Sequence, residues 1–99
     1  MTELIRIDYQ SDRPTVLASD LHNFLEVETP MNKWFPRMCE YGFTEGQDFQ
    51  TFLSESTGGR PAQDAQLTID MAKELCMIQR SEKGRQARQY FIQLEKDWN

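Results

Sequence analysis

The residues that could perform acid–base or metal chemistry are few in this chain and scattered along it. His22 is the one histidine, and it has neither a cysteine nor a second histidine near it in the sequence. A general base or metal ligand is one interpretation of His22, but a partly exposed structural histidine fits this isolation better. Glu45 and Asp48 flank Gly46 in a turn, where a calcium loop would need several more oxygen ligands, so capping is the expected role of both carboxylates.

The remaining candidates for covalent or nucleotide chemistry are equally weak. Cys39 and Cys76 both lie in apolar helical patterns, which favours buried small side chains over a disulfide or a nucleophile. Gly58-Gly59 is not followed by the lysine and hydroxyl residue that a phosphate-binding loop requires. The sequence therefore predicts no catalytic residue, no metal site and no cofactor, and hence no enzyme.

Positive charge is the feature that points to binding. Four cations lie close together near the end of a chain whose net charge is −5, namely Arg80, Lys83, Arg85 and Arg88. Cations near a helix start oppose the helix dipole, which favours an external anionic partner over the alternative of a solvated face paired with Glu82.

A fifth cation, Arg60, stands in the Gly58–Pro61 loop. This loop is similar to the tip of a wing or to a minor-groove hook, although an ordinary hairpin turn explains it as well. Residues 19–41 also have the outline of a helix-turn-helix, whose second helix could present Asn32, Lys33 and Arg37 to DNA bases. Three acids in the same stretch would repel phosphates, namely Glu26, Glu28 and Glu40.

Length and composition indicate one domain. A chain of 99 residues with 38% hydrophobic side chains can bury a core without disulfide or metal support. Charged residues interrupt the first apolar stretch before a signal peptide can develop, and no window reaches the roughly 18 apolar residues of a membrane helix. We expect a soluble, cytoplasmic protein with no membrane partner.

The last two helices should form the body of the core. In the final helix the apolar side chains fall at helical spacing on one face, at Ala87, Tyr90, Phe91, Leu94 and Trp98. The preceding helix has a broader apolar set, consisting of Ile69, Met71, Ala72, Leu75, Met77 and Ile78.

The first part of the chain should supply a short sheet and two short helices. We predict a strand around Leu4 to Tyr9, and a helix that Val16 and Leu17 lead into, with Ser19 as its N-cap. A hairpin should join strands at Asp48–Phe52 and Ala65–Thr68.

The second short helix should have Thr29 as its cap and Pro30 at its first position. Pro36, which lacks an amide hydrogen, should kink this helix or divide it. Gly42 should end it in a left-handed cap, with Phe43 making the trailing contact. The fold class is thus α+β, a small domain of three to four helices on a short antiparallel sheet or hairpin, winged-helix-like in outline.

From about Val16 to Trp98 the chain resembles the AntA/AntB family of phage antirepressors. The shared residues include Leu21-His22, Trp34-Phe35, Tyr41-Gly42-Phe43, Gly58–Pro61, Asp70–Leu75, Lys83-Gly84-Arg85 and Tyr90-Phe91. The second half is the more specific, and Pro36 departs from the family pattern, which has an ordinary helix former there.

The resemblance implies a phage or prophage regulator in a bacterial host, with residues 1–99 as its amino-terminal domain and further chain following it. Antirepressors relieve repression by binding the repressor itself. We therefore expect non-catalytic capture of a repressor protein through Arg60, Arg80, Lys83, Arg85 and Arg88, with homo-oligomerisation possible. The alternative is a sequence-specific DNA-binding regulator that uses Asn32, Lys33, Arg37 and Arg60.

Overall fold

The computed structural model describes residues 7–8, 13–54 and 62–98. Within them the chain forms four helices and a four-stranded antiparallel sheet. The strands are β1 (Ile7–Asp8), β2 (Thr15–Leu17), β3 (Phe49–Ser54) and β4 (Ala62–Thr68). The helices are α1 (Ala18–Phe24), α2 (Met31–Cys39), α3 (Ile69–Gln79) and α4 (Glu82–Trp98). The predicted α+β class is confirmed.

The sheet has the strand order β1-β2-β4-β3. The predicted hairpin is β3 with β4, in which Phe49 lies opposite Leu67. On its other side β4 pairs with β2, where Val16 lies opposite Leu67. The strand that was expected to be one arm of a wing is therefore central to the sheet. The Gly58–Pro61 loop, with Arg60, lies outside the described residues.

The helices bury one face of this sheet. Phe91 of α4, Leu75 of α3 and Leu21 of α1 are completely buried together with Leu67 of β4. The apolar stripes predicted for the last two helices are buried or half-buried at almost every described position. The exception is Met77, which is 57% exposed, so its assignment to the core was wrong.

The start of α1 differs from the sequence-based prediction. Val16 and Leu17 belong to strand β2, and α1 begins at Ala18 with no side-chain cap from its own N-cap residue. Asp64 of β4 supplies the acceptor instead: its carboxylate accepts the Ser19 amide at 3.1 Å and the Ser19 hydroxyl at 2.6 Å. It also accepts the Ala65 amide at 2.7 Å. The prediction of Ser19 as N-cap was wrong because a buried carboxylate from another element satisfies this helix end.

Helix α2 is continuous from Met31 to Cys39, with Pro30 as its N-cap. The prediction that Thr29 caps this helix was therefore off by one residue. Of the two outcomes predicted for Pro36, a kink or a division of the helix, the division is excluded because the helix is unbroken. Pro36 and Asn32, whose carbonyl loses its intrahelical partner, are both exposed, so water can satisfy that group. The helix ends with Glu40 as its C-cap in the right-handed conformation, so the prediction that Gly42 forms a left-handed cap was wrong. Gly42, two residues further on, does have a positive φ of +114°, and Phe43 packs against the core as predicted.

The contact between α3 and α4 is very close. Thr68 caps α3 by accepting the Met71 amide at 3.2 Å, and Ser81 accepts the Gly84 amide at 3.1 Å where α4 begins. A Cβ atom added at Gly84 would lie 2.6 Å from the Cys76 carbonyl oxygen. Because that neighbour is backbone, it cannot swing aside. Gly84 is therefore the residue that lets the two helices approach.

We predict that Gly84→Ala destabilises the protein by about 1–3 kcal/mol through this clash, although alanine is favoured over glycine inside a helix by about 1 kcal/mol. Urea unfolding followed by circular dichroism measures the change. Gln86→Ala, at an exposed position on the same helix, is the control and should be within about 0.5 kcal/mol of the original chain. Equal stability of the two variants would contradict the close contact.

We also predict that Asp64→Ala lowers the free energy of unfolding by about 2–3 kcal/mol, because it removes a charged acceptor from three donors. Asp64→Asn keeps the shape and one acceptor oxygen, so it should lose less. The same urea titrations measure both variants. A loss from Asp64→Ala no larger than that from Asp64→Asn would contradict the capping role of the carboxylate.

Candidate binding surface at the corner of the last two helices

The corner between α3 and α4 carries the four predicted cations. Helix α3 ends at Gln79, and Arg80 adopts the left-handed conformation with φ 54° and ψ 42°. Ser81 immediately precedes α4, and its carbonyl accepts the Arg85 amide at 2.9 Å. The reversal takes so few residues that Arg80 and the first turn of α4 must share one corner of the molecule.

The cations of α4 do not share one face. Each helical residue rotates the side-chain direction by about 100°, so Lys83 and Arg88 point about 140° apart. The buried stripe that includes Gly84 and Ala87 lies between them. Arg85 and Arg88 are separated by only about 60°. The structure thus divides a cluster that is continuous in the sequence.

Lys83 is directed toward helix α1. Its ammonium group lies 5.0 Å from the centre of the Phe24 ring and 3.9 Å from the Glu26 carboxylate. Glu26, which follows α1, has φ 56°. Like Arg80, it is a charged residue in a backbone conformation that glycine normally adopts. Lys83 consequently stabilises the corner internally, although 40% of its side chain stays exposed.

The other three cations differ in their exposure and in their ion pairing. Arg80 is exposed and forms no ion pair with the described residues. Arg85 is 71% exposed and lies 3.6 Å from Glu82, which is the pairing expected of a solvated face. Arg88 is half-buried, and its buried Nε atom has no hydrogen-bond partner among the described residues. Arg80 and Arg85 are therefore the accessible cations of this corner.

The second predicted surface, on α2, is exposed. Asn32, Lys33 and Arg37 all face solvent, and neither cation forms an ion pair with the described residues. Lys33 and Arg37 are four residues apart and share one side of the helix, whereas Asn32 lies about 100° from Lys33. Glu40 is exposed in the adjoining turn. The face can meet a partner, but its charge is mixed.

His22 has a structural role. Its Nε2 atom lies 2.7 Å from the Thr29 carbonyl oxygen, which can only accept, so the ring donates. The ring also packs against Trp34, with 5.1 Å between the ring centroids. These contacts fasten the connection between α1 and α2, as the structural interpretation of His22 anticipates.

A crevice of about 780 Å³ lies between α2 and the hairpin. Its apolar lining comes from Met31, Phe35, Pro36, Cys39 and Phe49, and its polar lining from Ser19, Asn32, Thr51, Gln63 and Asp64. The carboxylate of Asp64 is already used by Ser19 and Ala65, and His22 does not line the crevice. Among the residues that the structure describes, the lining therefore offers no convergent acid and base of the kind that hydrolysis would need.

Sequence reasoning missed two residues that shape the candidate surface. Glu26 was expected only to repel phosphates, but it holds Lys83 at the α1 corner. Asp64 fixes the start of α1. Neither has a local sequence signal, because their partners lie far away along the chain.

A family model described as AntA/AntB antirepressor matches residues 16–81. The match covers most of the described fold, from β2 through the corner at Arg80, and the chain belongs to the AntA/AntB antirepressor family. The resemblance identified from the sequence is confirmed. No curated protein and no solved structure matches the chain. No helix among the described residues is long and apolar enough to cross a membrane.

Both thiols should react poorly in the folded protein. Burial raises the pKa of the Cys76 thiol to about 12, and the charge of Arg88 opposes this only partly. Burial and the neighbouring Glu45 also raise the pKa of Cys39, which is half-buried. Since the thiolate is the reactive form, neither residue is prepared to act as a nucleophile.

We predict that a disulfide reagent at pH 8 labels Cys39 slowly and leaves Cys76 unmodified until the protein unfolds, because roughly one Cys76 in ten thousand is then ionised. Absorbance of the released thiol measures the rates, and Cys39→Ser and Cys76→Ser assign them. Rapid labelling of Cys76 in the folded chain would contradict its burial.

Proposed function

We propose that this domain relieves repression by binding a repressor protein, without making or breaking covalent bonds. Membership of the antirepressor family supports the role. The surface assignment is carried by one observation, the exposed left-handed Arg80 beside the exposed Arg85 at the α3–α4 corner. The repressor would contribute an acidic patch to this corner.

The conformation of Arg80 supports the assignment. A residue other than glycine in the left-handed region costs on the order of 1 kcal/mol, and glycine would avoid this cost. The guanidinium group forms no ion pair with the described residues that would compensate. A costly backbone position that holds a free cation at the surface is typical of a side chain used for binding. The family match ends at residue 81. The assignment of Lys83, Arg85 and Arg88 to the binding surface therefore rests only on their positions in the structure.

Each of the four cations would have a different role at this corner. Arg80 and Arg85 would contact the repressor directly. Arg88 is close enough to Cys76 to influence its thiol and would support the corner from the α3 side. Lys83 would hold the corner against α1. Arg60 remains a candidate contact from the hairpin loop.

The mechanism is mass action. A repressor bound in this complex is removed from the pool that occupies its operator, and operator occupancy falls as the complex forms. Such a mechanism needs a surface and no catalytic group, in keeping with the unreactive thiols and the structural histidine. We also propose that residues 1–99 are the amino-terminal domain of a longer cytoplasmic regulator in a phage-infected or lysogenic bacterium.

The alternative is direct DNA binding through α2. The observation that favours it is that Lys33 and Arg37 are exposed on one side of a helix and form no ion pair with any residue that the structure describes. Asn32 could add a contact to an adenine edge. A net charge of −5 and the nearby Glu40 oppose it, because phosphate binding depends on local positive charge.

We predict that the chain and its cognate repressor elute together from a sizing column as a stoichiometric complex at physiological salt. Reversing both charges with Arg80→Glu and Arg85→Glu should weaken the complex about tenfold or more, because charges at a complementary interface then repel. Lys96→Glu, at an exposed cation in the last turn of the same helix, is the matched control and should bind normally. Equal weakening by the control would sink the assignment of the corner.

Binding to a DNA duplex distinguishes the alternative function from repressor binding. If DNA is the ligand, a duplex should bind with an affinity that falls steeply with salt, and Lys33→Ala or Arg37→Ala should reduce that slope by about one unit. If a repressor is the ligand, no duplex binding is expected at physiological salt, and both alanine variants should still form the protein complex.

A further inference from the structure

Strand β3 has one side that pairs with no described strand, since it stands at the end of the order β1-β2-β4-β3. The Asp48 carbonyl accepts the Thr68 amide of β4 at 3.0 Å. Backbone groups alternate between the two sides of an antiparallel strand. Those of Gln50 and Phe52 therefore also face β4, whereas those of Phe49, Thr51 and Leu53 point outward.

The outward side is closed at its first residue only. The Phe49 carbonyl accepts the Gly46 amide at 2.7 Å, so the preceding turn already covers this end of the edge. The outward groups of Thr51 and Leu53 receive no comparable bond from the described residues; the nearest donor is the Gln50 side chain, 3.5 Å from the Thr51 carbonyl. Two consecutive outward positions are thus left open by the part of the chain that the structure describes.

The sequence of β3 lacks the features that normally keep sheet edges apart. The strand reads FQTFLS, with no charged residue and no proline. Phe52 is 37% and Leu53 is 69% exposed. The opposite edge strand, β1, has only two residues and includes the charged Asp8. The contrast marks β3 as an edge suited to pairing.

We propose that β3 pairs antiparallel with β3 of a second copy of this chain, on a two-fold axis at Phe52. This register places Thr51 opposite Leu53 of the second copy, so the open outward groups bond one another in both directions. Phe52 then faces Phe52 of the second copy at a non-hydrogen-bonded position, where cross-strand side chains are closest. The turn at Gly46 excludes registers that would use Phe49.

A second copy fits this edge better than another occupant. Open backbone donors and acceptors are matched by an extended strand, and a strand paired antiparallel with itself is self-complementary about a two-fold axis. The strand itself carries no charge, so two copies meet there with less repulsion than elsewhere on a chain of net charge −5, although the Glu45 carboxylate lies beside it and accepts the Thr51 hydroxyl at 2.7 Å. A dimer formed here would carry two copies of the α3–α4 corner.

Site-directed cross-linking tests the register. In a Cys39→Ala background, Phe52→Cys should oxidise to a disulfide-linked dimer in most molecules within minutes of adding a mild oxidant, because the two residues face each other across the axis. Gln50→Cys, an exposed position on the same strand that lies opposite Ser54 of the second copy, is the matched control and should cross-link at least about tenfold more slowly than Phe52→Cys. Equal rates for the two variants would overturn the register.

Solution mass tests the contact itself. Sedimentation equilibrium of the unmodified chain should give a dimer, and Thr51→Pro should give a monomer, because proline removes an outward amide while leaving the pairing with β4 intact. Thr51→Val also loses the hydroxyl bond to Glu45, which is 2.7 Å long, but keeps the amide and should stay dimeric. A monomeric unmodified chain, or a Thr51→Pro variant that dimerises as strongly as Thr51→Val, would overturn the proposal. The proposal would also be overturned if cysteine variants of β3 formed cross-links only to an added repressor and none between two copies of the chain.

Discussion

The close approach of α4 to α3 at Gly84 is the constraint on which the corner depends. The Cys76 carbonyl leaves no room for a Cβ atom at that position, so the two helices can pack at this distance only over a glycine. The approach brings Phe91 and Ala87 against Leu75 in the buried core. At the same corner the chain reverses within a few residues, and Arg80 there adopts the left-handed conformation. The close packing of the two helices and the exposed cations therefore occupy one corner of the molecule.

Charge is distributed so that the positive surface is local. The chain as a whole is acidic, with 16 acidic against 11 basic residues, yet Arg80 and Arg85 are exposed together at one corner. Lys73 is committed elsewhere, since its hydrogen bond to Glu95 joins α3 to α4 at 2.6 Å and raises the pKa of its ammonium group. Lys83 is held by Phe24 and Glu26. Arg80 and Arg85 therefore form a small cationic surface, separate from the exposed Lys33 and Arg37 of α2, on a chain whose net charge of −5 disfavours indiscriminate binding to nucleic acid.

The sequence predicted the elements whose signal is local. Helices α3 and α4 follow from apolar periodicity, and the β3–β4 hairpin follows from strand-forming residues around glycines. The start of α1 could not be predicted, because its acceptor, Asp64, is separated from Ser19 by 45 residues. The left-handed conformations of Glu26 and Arg80 could not be predicted either, since neither glutamate nor arginine is a residue type that indicates this conformation. The three-residue β2 has too short a pattern to be separated from the helix that follows.

The candidate surface was predicted in composition but not in arrangement. Arg80, Lys83, Arg85 and Arg88 are neighbours in the sequence, and the helical rotation between Lys83 and Arg88 already implies that they diverge. Which of them remains free depends on Phe24, Glu26 and Glu82, and those contacts exist only in the folded chain. Met77 was expected to be buried because it is apolar, but in the folded chain none of the described elements covers it.

In the proposed mechanism, the domain removes a repressor from DNA through protein contact alone. Fluorescence anisotropy of a labelled operator duplex saturated with the repressor measures this directly as the domain is added. Anisotropy should fall to the value of the free duplex at about one domain per repressor, and the domain without repressor should leave the duplex signal unchanged. A duplex that stays bound by repressor, or a domain that raises the anisotropy by binding the duplex itself, would contradict this mechanism.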